Sequence, residues 1–223
     1  MKLFKTCFFF ATILLFTGTL FSNAQDPSRL KDQVNELVKK EHNFSADKKL
    51  VVFTGSSSIR MWNDVQSYFP EYNVINNGFG GSHFSDLLYF YNEMILKPAP
   101  NILFIYVGDN DLASKKKPKE ILKEAKKLAG KIQQDLPETR VVFISPKPSI
   151  SRIKLKNSYI AFNKKLKKYC EKNGNLEFAN VWCPMLDNNG NVYKDVFLED
   201  GLHMNKKGYD IWEKVIGKLL IQQ

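Results

Sequence analysis

Short apolar runs alternate with segments of helical periodicity along most of the chain. Five runs predict strands, at residues 50–53, 72–75, 101–107, 140–145 and 176–181. Apolar residues three or four positions apart predict helices over about residues 29–40, 85–96, 118–134, 157–173 and 205–220. Strands joined through helices form parallel sheets with right-handed crossovers. The pattern therefore predicts an α/β protein, a three-layer α/β/α sandwich around about five parallel strands.

The first 24 residues follow a different pattern. Lys2 and Lys5 precede a nearly uncharged apolar run over residues 6–21, and the small residues Ser22 and Ala24 follow it. This order is typical of a secretory signal peptide. We expect a signal over residues 1–24 and one domain over residues 25–223, secreted or periplasmic. A retained membrane anchor is the alternative, but the small-residue ending favours cleavage and no stable membrane insertion afterwards.

The net charge limits the partners that the chain could bind. The formal charge is +10, and removal of Lys2 and Lys5 leaves +8. Much of this charge is lysine spread over several predicted helices, whereas nucleic-acid binders gather basic residues on one face. We therefore expect no nucleic-acid partner.

Two cysteines, Cys170 and Cys183, remain after the predicted signal. An exported protein can form disulfides. The sequence leaves a disulfide and two free thiols equally open.

Three predicted strands are followed by residues suited to acyl transfer. Ser57 follows the first strand, Gly81 lies in a glycine-rich turn after the second, and Asn110 follows the third. Because ligands of an open parallel sheet bind beyond the carboxyl ends of its strands, we expect these residues to share one site.

A serine hydroxyl needs a neighbouring base to become a nucleophile. Of the three histidines, His42 lies in a polar stretch and His83 follows the glycine turn, where it could line a pocket, pack or cap a helix. His203 has Asp200 three positions before it. In a turn this spacing lets the carboxylate orient the imidazole, which predicts Ser57, His203 and Asp200 as a catalytic triad. On its own, the pattern is also typical of an ordinary turn.

An ester hydrolase must also stabilise the oxyanion formed during attack. The candidate donors are the backbone N–H groups of Ser57 and Gly81 and the side-chain amide of Asn110. A flexible turn at Gly81 and a helix cap at Asn110 are the structural alternatives. Asp109 and Asp111 have no histidine or further carboxylate nearby in sequence. We predict no metal site and no cofactor.

In order and placement, these four segments resemble the conserved blocks of the SGNH hydrolases, also called the GDSL esterase/lipase family. The resemblance is closer to the platelet-activating-factor acetylhydrolase-like branch than to the long plant lipases, and it covers nearly the whole predicted mature chain. It implies a flavodoxin-like fold, with Ser57 as nucleophile, Gly81 and Asn110 as oxyanion donors, and Asp200 and His203 closing the triad. One position departs from the pattern, because Ser56 replaces the usual aspartate before the nucleophile.

The predicted function is a secreted serine esterase that cleaves small acyl groups, with acetyl as the first candidate, from a small-molecule or carbohydrate ester. A lysophospholipase or short-chain lipase, and a non-catalytic carbohydrate-binding module, are the alternatives. Trp62, Phe79 and His83 are predicted to line the substrate pocket, together with Phe84. Arg60 could contact an anionic group of the substrate or cap the segment that follows it.

Overall fold

The computed structural model describes residues 26–221. The predicted signal over residues 1–24 lies outside them. Cys170 is buried, Cys183 is exposed, and both are free thiols, so the two are not joined. Within residues 26–221, no helix has the length and apolar character needed to cross a membrane.

Five parallel strands form one sheet in the order β2-β1-β3-β4-β5. The strands are β1 (Leu50–Gly55), β2 (Asn73–Gly78), β3 (Ile102–Tyr106), β4 (Arg140–Ile144) and β5 (Leu176–Ala179). This is the flavodoxin-like order, and it confirms the predicted fold. The chain changes direction across the sheet between β1 and β3, and the crevice beyond their carboxyl ends is the usual ligand site of such sheets.

In the described part of the chain, eight α-helices surround the sheet. They are α1 (Lys31–Val38), α2 (Ser57–Arg60), α3 (Val65–Tyr68), α4 (Phe84–Tyr89), α5 (Asp109–Ala113), α6 (Pro118–Asp135), α7 (Lys156–Glu171) and α8 (Lys206–Ile221). Short 3₁₀ turns lie at Pro27–Leu30, Ile153–Leu155 and Cys183–Met185. The single helix predicted over residues 85–96 is instead α4 followed by a π-helical turn, Asn92–Leu96.

The alternation of side chains along the strands produces two cores. Val52, Leu103 and Val141 face one layer, which contains α1, α4, α6 and α7. Val51 and Phe104 face the other layer, which contains α2, α3 and α8. Both faces of every central strand are thus covered, which explains why these strands are apolar throughout rather than alternating.

Candidate active site

Ser57 lies at the turn between β1 and α2. Gly55 has a φ of +125°, and a Cβ at this position would lie 1.9 Å from the carbonyl oxygen of Tyr106. The same carbonyl accepts a hydrogen bond from the backbone N–H of Ser56 at 2.9 Å. The chain therefore turns sharply into α2, whose first residue is Ser57. A first helical residue has no intrahelical acceptor for its N–H, so the Ser57 N–H is available to a ligand.

Ser57, His203 and Asp200 form a chain of hydrogen-bonded side chains. The Nε2 atom of His203 lies 3.0 Å from the Oγ atom of Ser57, and its Nδ1 atom lies 2.5 Å from Oδ2 of Asp200. The other carboxylate oxygen, Oδ1, accepts the backbone N–H groups of Leu202 (2.8 Å) and His203 (2.9 Å). Burial raises the pKa of Asp200, but these hydrogen bonds outweigh it and lower the pKa to about 2. Asp200 is therefore ionised at neutral pH and orients the imidazole.

The loop that carries His203 is fixed from two sides. The His203 carbonyl accepts the N–H of Leu198 at 2.8 Å. The Gly201 carbonyl accepts the N–H groups of Ile150 (2.9 Å) and Ser151 (3.1 Å), which belong to the segment after β4. The loop is thus held against the carboxyl end of the sheet.

Lys147 provides a third attachment for this loop. Its side chain is buried, and its Nζ atom donates to the Leu202 carbonyl at 2.6 Å and lies 5.5 Å from the centre of the Phe197 ring. Burial lowers the pKa of Lys147 to about 8, although nearby Asp109 opposes the shift. No motif in the sequence indicates a role for this lysine. Its signal was its place just after the carboxyl end of a strand predicted to be buried.

Asn110 follows β3 at the start of α5, after Gly108, which has a φ of +109°. Its Nδ2 atom donates to the Oγ atom of Ser56 at 2.9 Å and to the Ser82 carbonyl at 3.1 Å. Its Oδ1 atom accepts the Nη2 group of Arg152 at 3.1 Å. The amide thus lies between the serine turn and the loop that follows β2.

Asp109 is the centre of a buried polar cluster beside Asn110. Its Oδ1 atom accepts Arg152 Nη1 at 2.6 Å and also the hydroxyl of Tyr159, and its Oδ2 atom accepts the Tyr106 hydroxyl at 3.1 Å. Burial opposes ionisation of Asp109, but the positive charges of Lys147 and Arg152 outweigh it and keep the pKa below its usual value. The same carboxylate raises the pKa of Arg152 against the effect of its burial. The cluster therefore holds its charges at neutral pH.

Gly81 lies in the turn between β2 and α4, next to Ser82, whose carbonyl accepts the Asn110 amide. It is exposed, its φ is +79°, and a Cβ there would have no neighbour within 4 Å. The preceding Gly80 donates its N–H to Oε1 of Gln33 at 2.8 Å, which attaches the turn to α1. Glycine is thus required for the backbone conformation at Gly81 rather than for space.

The prediction that Trp62 and Phe79 line the substrate pocket is wrong. Both side chains are fully buried, Trp62 against Phe53 and Trp212 and Phe79 against Phe90. Large aromatic side chains close to strand ends complete the core here, because burying them stabilises the fold more than exposure would. The same correction applies to Phe84, which is also fully buried.

His83 is also largely buried, and it precedes α4. Its backbone N–H donates to Oδ2 of Asp86 at 2.9 Å, and its Nδ1 atom lies 3.6 Å from Oδ1 of Asp111. Burial and the positive charges of Arg29, Lys116 and Arg152 lower the pKa of His83 to about 4. The hydrogen bond to Asp86 caps α4, which is one of the roles predicted for His83. Arg60 is exposed and its guanidinium lies beside Gly80.

An open groove of about 660 Å³ lies beside the loop that carries Asp200 and His203. Its walls are the segments after β4 and β5, and it contains exposed apolar side chains and two lysines. The lining includes Ile150, Ile153, Tyr193, Lys156 and Lys194. Since the Ile150 N–H binds the Gly201 carbonyl, the groove adjoins the triad loop directly.

Within residues 26–221, no group of three or more His, Cys, Asp or Glu side chains is arranged to hold a metal ion. The prediction that no metal or cofactor is needed stays a prediction.

The fold and the arrangement of these side chains define an α/β acyl-ester hydrolase. The chain belongs to the GDSL-like Lipase/Acylhydrolase family, whose pattern matches residues 50–211. This confirms the resemblance inferred from the four sequence segments.

Among the solved structures that share this fold are two bacterial proteins at 20% identity and an acetylxylan esterase at 14% identity. A GDSL-like lipase from Bacteroides thetaiotaomicron is 20% identical, with 87% of this chain and 98% of that chain covered and a TM-score of 0.72. A protein from Streptococcus pneumonia, described in terms of platelet activating factor, is 20% identical, with 87% and 92% covered and a TM-score of 0.72. An acetylxylan esterase from Geobacillus stearothermophilus is 14% identical, with 82% and 98% covered and a TM-score of 0.65. No curated protein matches the sequence.

Proposed function

We propose that this protein is a secreted or periplasmic serine esterase in which Ser57, His203 and Asp200 form the catalytic triad. The observation that carries the proposal is the hydrogen-bonded chain from Asp200 through His203 to the Ser57 hydroxyl. The acetylxylan esterase supports it, because variants of that enzyme described as catalytic mutants replace a serine, an aspartate and a histidine. In that enzyme, too, the aspartate lies three positions before the histidine.

In the first half of the reaction, Ser57 Oγ attacks the carbonyl carbon of the ester while Nε2 of His203 takes its proton. The carbonyl oxygen becomes an oxyanion that the N–H groups of Ser57 and Gly81 and the amide of Asn110 stabilise. The bond to the alcohol then breaks. His203 returns the proton to the leaving alkoxide, which leaves an acyl group on Ser57.

In the second half, His203 removes a proton from water, and the resulting hydroxide attacks the acyl-enzyme. A second oxyanion forms at the same donors. As it collapses, the bond between the acyl carbon and Ser57 Oγ breaks and His203 gives its proton to Oγ, which releases the carboxylic acid and restores the Ser57 hydroxyl. Asp200 keeps Nδ1 of His203 protonated throughout and stabilises the imidazolium.

For the substrate, we propose a small acyl group, with acetyl as the first candidate, on a carbohydrate or other small alcohol. The groove next to the triad loop supports a bulky alcohol portion, because its exposed Tyr193, Ile150 and Ile153 offer an apolar face and Lys156 and Lys194 offer donors. A lysophospholipid would require the same groove to accept a long acyl chain, so acyl length separates the two substrates.

The test is a panel of p-nitrophenyl esters from acetyl to long acyl, together with acetylated sugars, on wild type and Ser57→Ala. We expect hydrolysis of the acetyl esters and a loss of about 10⁴-fold or more in kcat/KM for Ser57→Ala. Ser58→Ala is the matched control, because it removes the neighbouring hydroxyl, which is buried, and should keep wild-type turnover.

Three results would contradict this proposal. Wild-type turnover by Ser57→Ala would remove the nucleophile assignment. A preference for long acyl chains would favour the lipase alternative, and inactivity of wild type toward the whole panel would favour a carbohydrate-binding module.

A further inference from the structure

The amide of Asn110 can stabilise an oxyanion only in one of its two orientations. A side-chain amide has a donor end, Nδ2, and an acceptor end, Oδ1, and a rotation of 180° exchanges them. If Oδ1 faced the substrate, it would repel the developing negative charge. The neighbours of this amide therefore decide whether Asn110 favours or opposes the reaction.

Two of those neighbours accept only one orientation. The Ser82 carbonyl is a pure acceptor and lies 3.1 Å from Nδ2, whereas the Arg152 guanidinium is a pure donor and lies 3.1 Å from Oδ1. The Ser56 hydroxyl, 2.9 Å from Nδ2, can donate or accept and does not discriminate. The amide has only two N–H bonds, so the one that points to Ser56 is the one that an oxyanion would take over, while Ser82 keeps the other. Exchanging the two ends would set two acceptors against each other at Ser82 and two donors at Arg152.

Arg152 is itself held by the residue next to Asn110 in sequence. Its Nη1 group binds Oδ1 of Asp109 at 2.6 Å while its Nη2 group binds Asn110. The planar fork of one guanidinium thus spans two consecutive side chains, a geometry that a lysine ammonium cannot reproduce. The Tyr159 hydroxyl binds the same oxygen of Asp109, which fixes the carboxylate in turn.

The positive charge of Arg152 has a second effect on the amide. A cation that donates to the carbonyl end of an amide withdraws electron density and makes its N–H a stronger donor. The guanidinium reaches Asn110 from the side opposite the Nδ2 group. It can therefore act without touching the substrate.

We propose that Arg152 is a positioning residue, which orients and polarises the Asn110 amide as the oxyanion donor while Asp109 anchors the guanidinium. This inference rests on the proposed function, since it requires Asn110 to face an oxyanion. It assigns a role to the segment after β4, which lies outside the four sequence blocks of the family.

The test measures kcat and KM on p-nitrophenyl acetate for Arg152→Lys, Asn110→Ala and the double variant. We expect Asn110→Ala to lower kcat by about 10²-fold, the effect of losing one oxyanion donor. Arg152→Lys keeps the positive charge beside Asp109 but loses the hydrogen bond to Oδ1 of Asn110. It should lower kcat by about tenfold, with KM within about threefold of wild type. In the Asn110→Ala background, Arg152→Lys should cost nothing further, because residues that act through one contact are not additive.

Arg140→Lys is the matched control. Arg140 also pairs with a carboxylate, Glu177, but at the opposite end of β4, so kcat should not change. Thermal unfolding of every variant shows whether it is folded. If Arg152→Lys does not fold, Asp109→Asn combined with Arg152→Met removes both charges and should show the same loss of kcat and the same absence of additivity.

Two results with the Arg152 variants would overturn the role of this residue. They are unchanged kcat in Arg152→Lys, and an equal loss of kcat in the wild-type and Asn110→Ala backgrounds. If Asn110→Ala itself has full activity, Asn110 is not a donor and the Arg152 proposal fails with it. Inactivity of Ser57→Ala in the same assay would still support the nucleophile, so the two failures are distinguishable.

Discussion

Asp200 and Asp109, two carboxylates on either side of the crevice, keep their negative charge by opposite means. Asp200, on the loop before α8, has a side chain that is 47% exposed, and backbone N–H groups and one imidazole stabilise its charge. Asp109, the first residue of α5, has a side chain that is only 7% exposed, and two cations stabilise its charge. A hydrated carboxylate costs the fold little, whereas a buried one must be matched by opposite charge. We therefore expect changes at Asp200 to affect chemistry alone, and changes at Asp109 to affect both chemistry and stability.

Asp200→Asn tests the expectation that the exposed carboxylate serves chemistry alone. The asparagine keeps an oxygen for the backbone N–H groups of Leu202 and His203 but can no longer hold the imidazole in the required tautomer. We expect kcat/KM on p-nitrophenyl acetate to fall by about 10⁴-fold, with Tm within about 2 °C of wild type. A large fall in Tm would show that Asp200 supports the fold as well.

Asp109→Asn should disrupt the buried charged cluster that Asp109 forms with Arg152 and Lys147. It leaves Arg152 and Lys147 without their shared counter-charge, and breaking a buried ion pair costs about 3–5 kcal/mol. For a chain of this size we expect Tm to fall by roughly 6–20 °C, together with a loss of kcat. Asp195→Asn is the control, because it removes an exposed carboxylate paired with Lys207 and should leave Tm within about 2 °C of wild type. Equal Tm values for Asp109→Asn and Asp195→Asn would show that the buried carboxylate supports the fold no more than an exposed one does.

Lys147→Met tests whether the buried cluster around Asp109 also supports the loop that carries His203. Methionine fills a similar volume but cannot donate to the Leu202 carbonyl, so we expect kcat/KM to fall by about tenfold. Retention of full activity would show that the other attachments suffice.

The pH dependence of stability isolates the charge of the same lysine. Its pKa is about 8 in the folded protein and 10.5 ordinarily, so between these values the unfolded chain binds the proton and the folded protein does not. Wild-type stability should therefore rise relative to Lys147→Met as the pH goes from 8 to 10, by an amount on the order of 1–3 kcal/mol. Parallel curves for the two proteins, from chemical denaturation at each pH, would contradict this.

Ser56→Ala should have the smallest effect. It removes one neutral acceptor from Nδ2 of Asn110, while Ser82 and Arg152 still fix the amide. We expect kcat within about threefold of wild type. A loss comparable to that of Asn110→Ala would mean that the Ser56 hydroxyl, and not Arg152, orients the amide.

The apolar pattern predicted all five strands and the main helices because burial on both faces leaves a continuous signal. It missed α2, α3 and α5, which contain only four or five residues and are too short for a helical period. The π-helical turn after α4 was also missed, since its side chains keep a nearly helical spacing.

Prediction of the candidate site succeeded where residues lie close in sequence to a strand end or to each other. Ser57, Asn110 and the Asp200–His203 pair are of this kind, and the structure brings them together. Arg152 and Lys147 were missed because their partners, Asn110 and Leu202, are 42 and 55 residues away. The neighbouring positions of β3 and β4 bring Arg152 to Asn110, and the docking of the loop before α8 brings Leu202 to Lys147, so both contacts are tertiary properties. The prediction that Trp62 and Phe79 line the pocket failed although both residues lie close in sequence to a motif. Proximity to a motif does not determine which face of the turn a side chain occupies.

The bond between Ser57 and His203 joins residues 146 positions apart, and this separation has a consequence for folding. Contacts of such long range form late, because the intervening chain must first be ordered. A partly folded chain with β1 to β4 in place would carry Ser57 beside Asn110 and yet have no base. During refolding, ester turnover should therefore appear only when the loop that carries His203 docks together with α8. The onset of catalysis then measures the time of the final folding step.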